Sequence, residues 1–320
     1  MAENNNNQMN SGFTSNIGEE NSLGFGTPTS GAPGFTPPQP EPQNEDGILG
    51  LTEEEKKDPN AIRVRVSDPS PVVVLFGAKT SGKTMALIRL TRYLEKMDYI
   101  VVPDPTFRPA DDKHYERMCN DFKRLCHDNL APSGTDAISF MLVKVLDKNG
   151  RPICQILEAP GEHYFDEKEP PQQPFPTYIT NITKLPNRRV WVFFAERNWR
   201  SNWRDMYVER IKNMPANLKK DKTIFICQKV DEQIKEVSLD NGMPNTHQII
   251  KDINVQYPGL FTPFENKNPI TRFFKKYNFK FVPFSAGAFT ARADGKQEYT
   301  EGEEFYPKLL WKAILKTVKG

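Results

Sequence analysis

The chain has 320 residues, 43 basic against 41 acidic, for a net charge of +2, and 37% of its residues are hydrophobic. That length allows one sizeable core or two modest ones, and the near-zero charge gives no general electrostatic reason to expect a nucleic-acid or membrane partner. No apolar run approaches the ~20 residues needed to span a bilayer. The start, Met1-Ala2-Glu3-Asn4, lacks the basic and apolar regions of a secretory leader, so a cytoplasmic protein with reduced thiols is expected. Cys119, Cys126, Cys154 and Cys227 form no CxxC pair, and together with His114 and His127 they match no zinc spacing.

Residues 1–60 are expected to be a disordered tail and linker. The first 45 are rich in Asn, Gly, Ser, Thr, Pro and Gln, and their few hydrophobes are too scattered to offset the entropy of ordering. A tether or docking arm is the alternative role, with Phe25 and Phe35 as its anchors. Residues 46–61 allow a short acidic helix leading into a domain over 61–320.

Val72-Val73-Val74-Leu75-Phe76 is a short apolar, β-branched run that ends in a Gly-rich turn, the pattern of a buried parallel strand. Met85 to Met97 has helical spacing. Tyr99 to Val102 reads as a strand and Lys113 to Leu130 as a helix, which makes 104–134 a helical insertion. Ile138 to Leu146 and Arg151 to Leu157 are strand-like, joined by Asp147-Lys148-Asn149-Gly150, a hairpin signal. Residues 166–180 read as a charged, Pro-rich loop. Arg189 to Phe194 is a further buried strand, and Asn202 to Met214 a helix. Lys222 to Cys227 reads as a strand, His247 to Gln256 and Pro269 to Tyr277 as helices. Phe279 to Ser285 is expected to be the last strand and Glu303 to Lys316 the closing helix. This alternation implies a three-layer α/β/α domain whose mostly parallel sheet has one antiparallel strand, expected at the edge.

Gly77-Ala78-Lys79-Thr80-Ser81-Gly82-Lys83-Thr84 fits Gly-x-x-x-x-Gly-Lys-Thr, with a strand before it and a helix after it. The glycines let backbone N–H groups wrap phosphate oxygens, Lys83 adds a point charge and the Thr84 hydroxyl is an Mg²⁺ ligand. The helix that follows presents the positive end of its dipole. The pattern indicates a nucleoside triphosphate without naming the base.

Four more segments follow in order. Glu158-Ala159-Pro160-Gly161-Glu162 comes directly after a strand. Thr135 lies in a polar loop 23 residues before Glu158. Gln228-Lys229-Val230-Asp231 follows the strand ending at Cys227, and Ser285-Ala286 follows the last expected strand. With these residues the chain resembles the Ras-like P-loop GTPase superfamily over residues ~70–320. The resemblance implies GTP or GDP as ligand with Mg²⁺ as cofactor. Glu158 stands where that family holds Mg²⁺ through water with an Asp, and the N–H of Gly161 would sense the γ-phosphate. Thr135 would reach Mg²⁺ and the γ-phosphate only in the triphosphate state, making a switch. Asp231 would accept from the N1–H and exocyclic amine of guanine, Lys229 would pack on the base, and Gln228 replaces the usual Asn or Thr. The Ser285-Ala286 backbone would contact guanine O6. Glu162 stands where Ras carries its water-orienting glutamine, and His163 is the alternative. Arg108 resembles in position the arginine that heterotrimeric G-protein alpha subunits place between a helical insert and the switch threonine.

These residues point to a GTP-hydrolysing switch that meets a protein partner or regulator through its switch regions. The alternative they leave open is a nucleotide-binding scaffold with little hydrolysis, suggested by Glu158, Glu162 and Gln228. An ATP-using kinase or transporter lacks support, because no apolar run ends in Asp-Asp or Asp-Glu. Trp199 and Trp203, interleaved with Arg197, Arg200 and Arg204, serve either helix packing or a partner surface.

Overall fold

The computed structural model describes residues 51–127, 140–195, 201–218, 220–230, 239–240, 243–291 and 297–320. They belong to a unit running from Asn44 to Gly320; the other unit, Met1–Gln43, lies outside the described residues. The chain order begins with helix α1 (Glu53–Lys57), strand β1 (Val72–Phe76), α2 (Lys83–Lys96), β2 (Ile100–Pro103), α3 (Lys113–His127), β3 (Met141–Leu146) and β4 (Pro152–Glu158). It continues through α4 (Gly161–Tyr164), α5 (Thr177–Lys184), β5 (Arg189–Ala195), α6 (Ser201–Lys212) and β6 (Lys222–Cys227). A minor β7–β8 pair (Leu239–Asp240, Met243–Pro244), α7 (Thr246–Gln256), α8 (Pro269–Phe274) and β9 (Lys280–Pro283) come next. The chain then forms β10 (Gly287–Ala291), β11 (Gln297–Glu301) and α9 (Phe305–Lys319).

Every residue of β1 is buried, because a parallel strand in mid-sheet is covered on both faces. The sheet order is β2-β3-β4-β1-β5-β6-β9. β4, β5, β6 and β9 follow β1 in parallel register, and β3 runs antiparallel to both its neighbours. The one antiparallel strand is therefore not at the edge, as expected, but one place in. β2 closes the edge beyond it, pairing Val101 with Val145 and Pro103 with Val143. Helices α2 and α9 pack together, and α9 also lies against β5, β6 and β9. On the other face Phe76 meets Tyr164, Phe175 and Tyr207, from α4, the segment after it and α6. In register, Phe76, Phe193 and Phe225 make a ladder with centroid spacings of 5.1 Å and 5.1 Å across three strands. Each such aromatic pair adds about 1 kcal/mol beyond its buried area.

Local chemistry explains the shorter elements. Thr52 and Glu55 form a reciprocal capping box, and the three glutamates that open α1 and two lysines that end it suit the helix dipole. Leu51 is buried, and Glu55 is held by Arg108. Asp112 caps α3 by accepting from the Tyr115 N–H at 2.9 Å. In the β3–β4 turn the Asp147 carboxylate accepts from the Asn149 and Arg151 N–H groups, and Gly150 takes φ +77°.

Two further expectations differ from the structure. Part of the expected 166–180 loop is the start of α5, whose Tyr178, Ile179 and Ile182 are buried at helical spacing. Its β-branched, Thr-rich composition disguises it, though Pro176 just before it is a start signal. The strand ending at Pro283 is not the last, because the β10–β11 hairpin intervenes before α9.

Candidate functional site

The chain leaves β1 toward β2, β3 and β4 on one side, and then crosses to β5, β6 and β9 on the other. β1 is thus the topological switch point, and ligands of open α/β sheets bind at the carboxyl ends of strands there. The phosphate loop occupies that place. Gly82 has φ +81°, and Thr80, a β-branched residue, has φ +64°. Such a conformation costs Thr80 roughly 1–2 kcal/mol and marks a loop held in a set shape. The Thr80 hydroxyl donates to the Lys79 carbonyl at 2.6 Å, and both side chains are exposed. The buried Lys83 ammonium donates to the Gly77 and Ala78 carbonyls at 3.1 and 3.0 Å, curling the loop around the charge. Ser81 is fully buried, and its hydroxyl has no hydrogen-bond partner among the described residues.

The β4 end comes against this loop. The Thr84 hydroxyl donates to the Glu158 carboxylate at 2.6 Å. Burial raises that carboxyl to about 7, against the opposing pull of the Lys83 ammonium and the Thr84 hydrogen bond. Its second oxygen, Oε2, is buried and without a hydrogen-bond partner among the described residues. A carboxylate oxygen left unsatisfied beside a threonine hydroxyl fits a hard divalent cation. Among the described residues no group of three or more His, Cys, Asp or Glu side chains makes a metal cluster. Mg²⁺ would therefore take Thr84 and Glu158 with phosphate and water oxygens, the usual open arrangement for this ion. Gly161 lies directly on the phosphate loop: a Cβ there would sit 2.1 Å from the Lys79 nitrogen and 2.3 Å from the Ala78 carbonyl carbon. Only glycine allows that approach.

The next residues divide. Glu162 is half-buried in the first turn of α4. His163 points inward, its Nδ1 2.9 Å from the Tyr178 hydroxyl of α5, and burial beside Lys83 pushes its pKa down to about 4. His163 thus ties α4 to α5 as a neutral imidazole, and Glu162 is the residue left at the loop. The following segment is held by Arg210 of α6, which donates to the Tyr164 carbonyl at 2.8 Å and to the Gln173 carbonyl. Its guanidinium lies 3.6 Å from the Phe175 ring centroid. No sequence pattern marks Arg210, since its partners are backbone carbonyls far along the chain.

The β6 and β9 ends complete the arrangement. Gln228 is buried and donates from Nε2 to the Gly82 carbonyl at 3.3 Å, so it links the loop after β6 to the phosphate loop. Lys229 takes φ +57° and is exposed, and the Val230 N–H donates to the Phe284 carbonyl at 3.3 Å. Ser285 is buried and Ala286 half-buried. The β10–β11 hairpin springs from this point and returns to it. The Tyr299 hydroxyl and the Gly302 N–H both donate to the Ala286 carbonyl, at 2.5 and 3.1 Å. Glu301 then pairs with Arg89 and Arg92 of α2 at 2.6 and 3.0 Å. The loop after β9 and the helix after the phosphate loop are thereby braced together. The Asp294-Gly295 dipeptide was the available signal for this hairpin.

Thr135, Asp231, Arg197, Trp199 and Arg200 lie outside the described residues. Trp203 packs against the core and Arg204 lies 5.8 Å from the Tyr257 ring, so both serve helix packing. Arg108 is no charge-stabilising finger. It donates to both Glu55 carboxylate oxygens at 2.5 and 2.7 Å, to Asp112 at 2.9 Å and to the Arg63 carbonyl at 2.8 Å, and it is buried. It fastens α1 to the start of α3, and sequence position alone does not reveal these partners.

No protein-family model matches the chain, and no curated protein matches it in sequence. Among solved structures it is similar to nucleolar GTP-binding protein 1 from Plasmodium falciparum, at 15% identity and a TM-score of 0.34, over 80% of this chain and 92% of that one. It is also similar to the Roco2 RocCORdC protein of Methanosarcina barkeri, solved bound to GDP, at 12% identity and a TM-score of 0.30, over 80% of this chain and 52% of that one. At such scores neither likeness bears on what this chain does. The three-layer α/β/α architecture, with a phosphate loop at the switch point of a mostly parallel sheet, rests on the chain's own strand order.

Proposed function

We propose that the chain binds GTP with Mg²⁺ and hydrolyses it as a molecular switch. The observation that carries this reading is the convergence of Lys83, Thr84, Glu158, Gly161 and Gln228 from three strand ends, with the Thr84 hydroxyl 2.6 Å from Glu158. Mg²⁺, when bound, would supply neutralisation of phosphate charge. Lys83 would balance the negative charge of the terminal phosphates, and Thr84 and Glu158 would hold the cation. The Gly161 N–H and Thr135 report the γ-phosphate. Asp231 reads the guanine edge, with Lys229 against the ring and the Ser285-Ala286 backbone at O6. Gln228 ties that base loop to Gly82, so base and phosphate positions are set together.

Glu162 favours a second reading, a nucleotide-binding scaffold with slow turnover. A carboxylate at the water-orienting position places negative charge near the γ-phosphate, and His163 is turned away toward Tyr178. Phosphate release under single-turnover conditions separates the two: release abolished by Glu162→Ala supports the switch, and none from the wild type with tight GTP binding supports the scaffold. Asp231→Asn tests the base assignment. It is expected to move preference from GTP to xanthosine triphosphate, and an unchanged preference would remove Asp231 from the site.

A further inference from the structure

The end of the sheet opposite the phosphate loop carries a surface that nucleotide binding does not use. Lys222 opens β6 and Lys280 opens β9 on adjacent parallel strands, Lys280 in register with Ile224, two residues along from Lys222. Lys316 lies in the last turn of α9, and Lys275 follows α8. Lys222, Lys275 and Lys316 are exposed and Lys280 half-buried. Among the described residues none of the four meets a carboxylate. The acidic groups nearby are already engaged, Glu265 with Arg272 and Lys276 and Asp221 with Arg189 and Trp191. Burial, with repulsion from Lys316, Lys275 and Lys222, lowers Lys280 to about 8, in keeping with four like charges drawn together.

Beside this cluster α8 presents two large apolar side chains to solvent. Ile270 is 71% exposed and Phe273 86% exposed. Three residues apart, they share one side of the helix. The helix is stiffened by Pro269 and by Asn268, whose side chain accepts from the Ile270 and Thr271 N–H groups. Lys267, Arg272 and Lys276 add further exposed cations. The overall charge of +2 conceals this, because all 43 lysines and arginines lie beyond residue 55.

We propose that this end of the domain docks on an anionic phospholipid surface, with Ile270 and Phe273 as an apolar wedge and Lys222, Lys275, Lys280 and Lys316 as the ring that meets lipid phosphates. A bilayer interface takes apolar side chains and lysines together, whereas a nucleic-acid backbone needs the lysines alone and leaves Ile270 wet. Among the described residues no helix is long and apolar enough to cross a membrane; the proposed contact is a surface one. The nucleotide loops, at the opposite strand ends, stay open in the docked protein.

Co-sedimentation of the full chain with vesicles tests the proposal, using pure phosphatidylcholine and phosphatidylcholine with about 30 mol% phosphatidylserine. Binding is expected only to the anionic vesicles and is expected to weaken with salt. The double variants Ile270→Asp/Phe273→Asp and Lys275→Glu/Lys316→Glu should each lower it by about tenfold or more, with unchanged thermal melting because all four side chains are exposed. Absence of sedimentation with anionic vesicles, equal binding to both vesicle types, or wild-type binding by both variants would overturn it. Retention of single-stranded RNA without vesicle binding would overturn it too, and would assign the lysines to nucleic acid.

Discussion

His163 shows how one residue's neighbours decide its role. Next to Gly161-Glu162 it reads as a water positioner, yet its ring is buried against Tyr178 with the pKa pushed down to about 4. The unfolded chain binds a proton there near the ordinary value of 6.5 while the folded chain does not. Stability from this group is therefore complete above pH 6.5 and is lost as pH falls toward 4. His163→Phe, unable to titrate, is expected to lack that loss. Relative to the variant, the wild type should lose up to about 1.4 kcal/mol per pH unit below 6.5, read from denaturant midpoints of nucleotide-free protein. Parallel pH profiles for the two would show that the ring is not held neutral.

At the scale of elements, the β10–β11 hairpin is the piece that most changes the account of the site. It grips the Ala286 carbonyl with Tyr299 and Gly302, and grips α2 through Glu301. Glu301→Gln is expected to speed dissociation of a fluorescent guanine diphosphate several-fold while lowering stability by only about 1 kcal/mol, since the carboxylate is 40% exposed. An unchanged off-rate with lowered stability would make the hairpin a structural clasp only. Legibility varies along the same lines. The phosphate loop, β1 and α2 read directly because their signals are contiguous: an apolar β-branched run, two glycines, Lys83-Thr84 and helical spacing. Gln228 bonding Gly82, Arg210 bonding the Tyr164 and Gln173 carbonyls and Arg108 clasping Glu55 join positions far apart in sequence, and no local pattern records such pairs. Helix α5 was hidden by its β-branched residues, and the edge position of β2 by the brevity of its run, Ile100–Pro103.

The unit from Asn44 to Gly320 is built on a sheet with two different ends. At the carboxyl ends of β1, β4, β6 and β9 sit Lys83, Glu158, Gln228 and Ser285; at the amino ends of β6 and β9 sit Lys222 and Lys280. The alternation of strands and helices makes that architecture readable before any coordinate is seen, because a parallel sheet needs helices on both faces. The proposed choice of base at the first end depends on loops whose pairing is long-range, and there direct titration is decisive. Isothermal calorimetry of the full chain with GTP and with ATP, each with excess Mg²⁺, and again with Lys83→Ala, tests the proposed GTP binding. GTP is expected to bind at least about a hundredfold tighter than ATP, and Lys83→Ala is expected to lose the GTP heat. Equal or tighter binding of ATP, or undiminished GTP binding by Lys83→Ala, would contradict it.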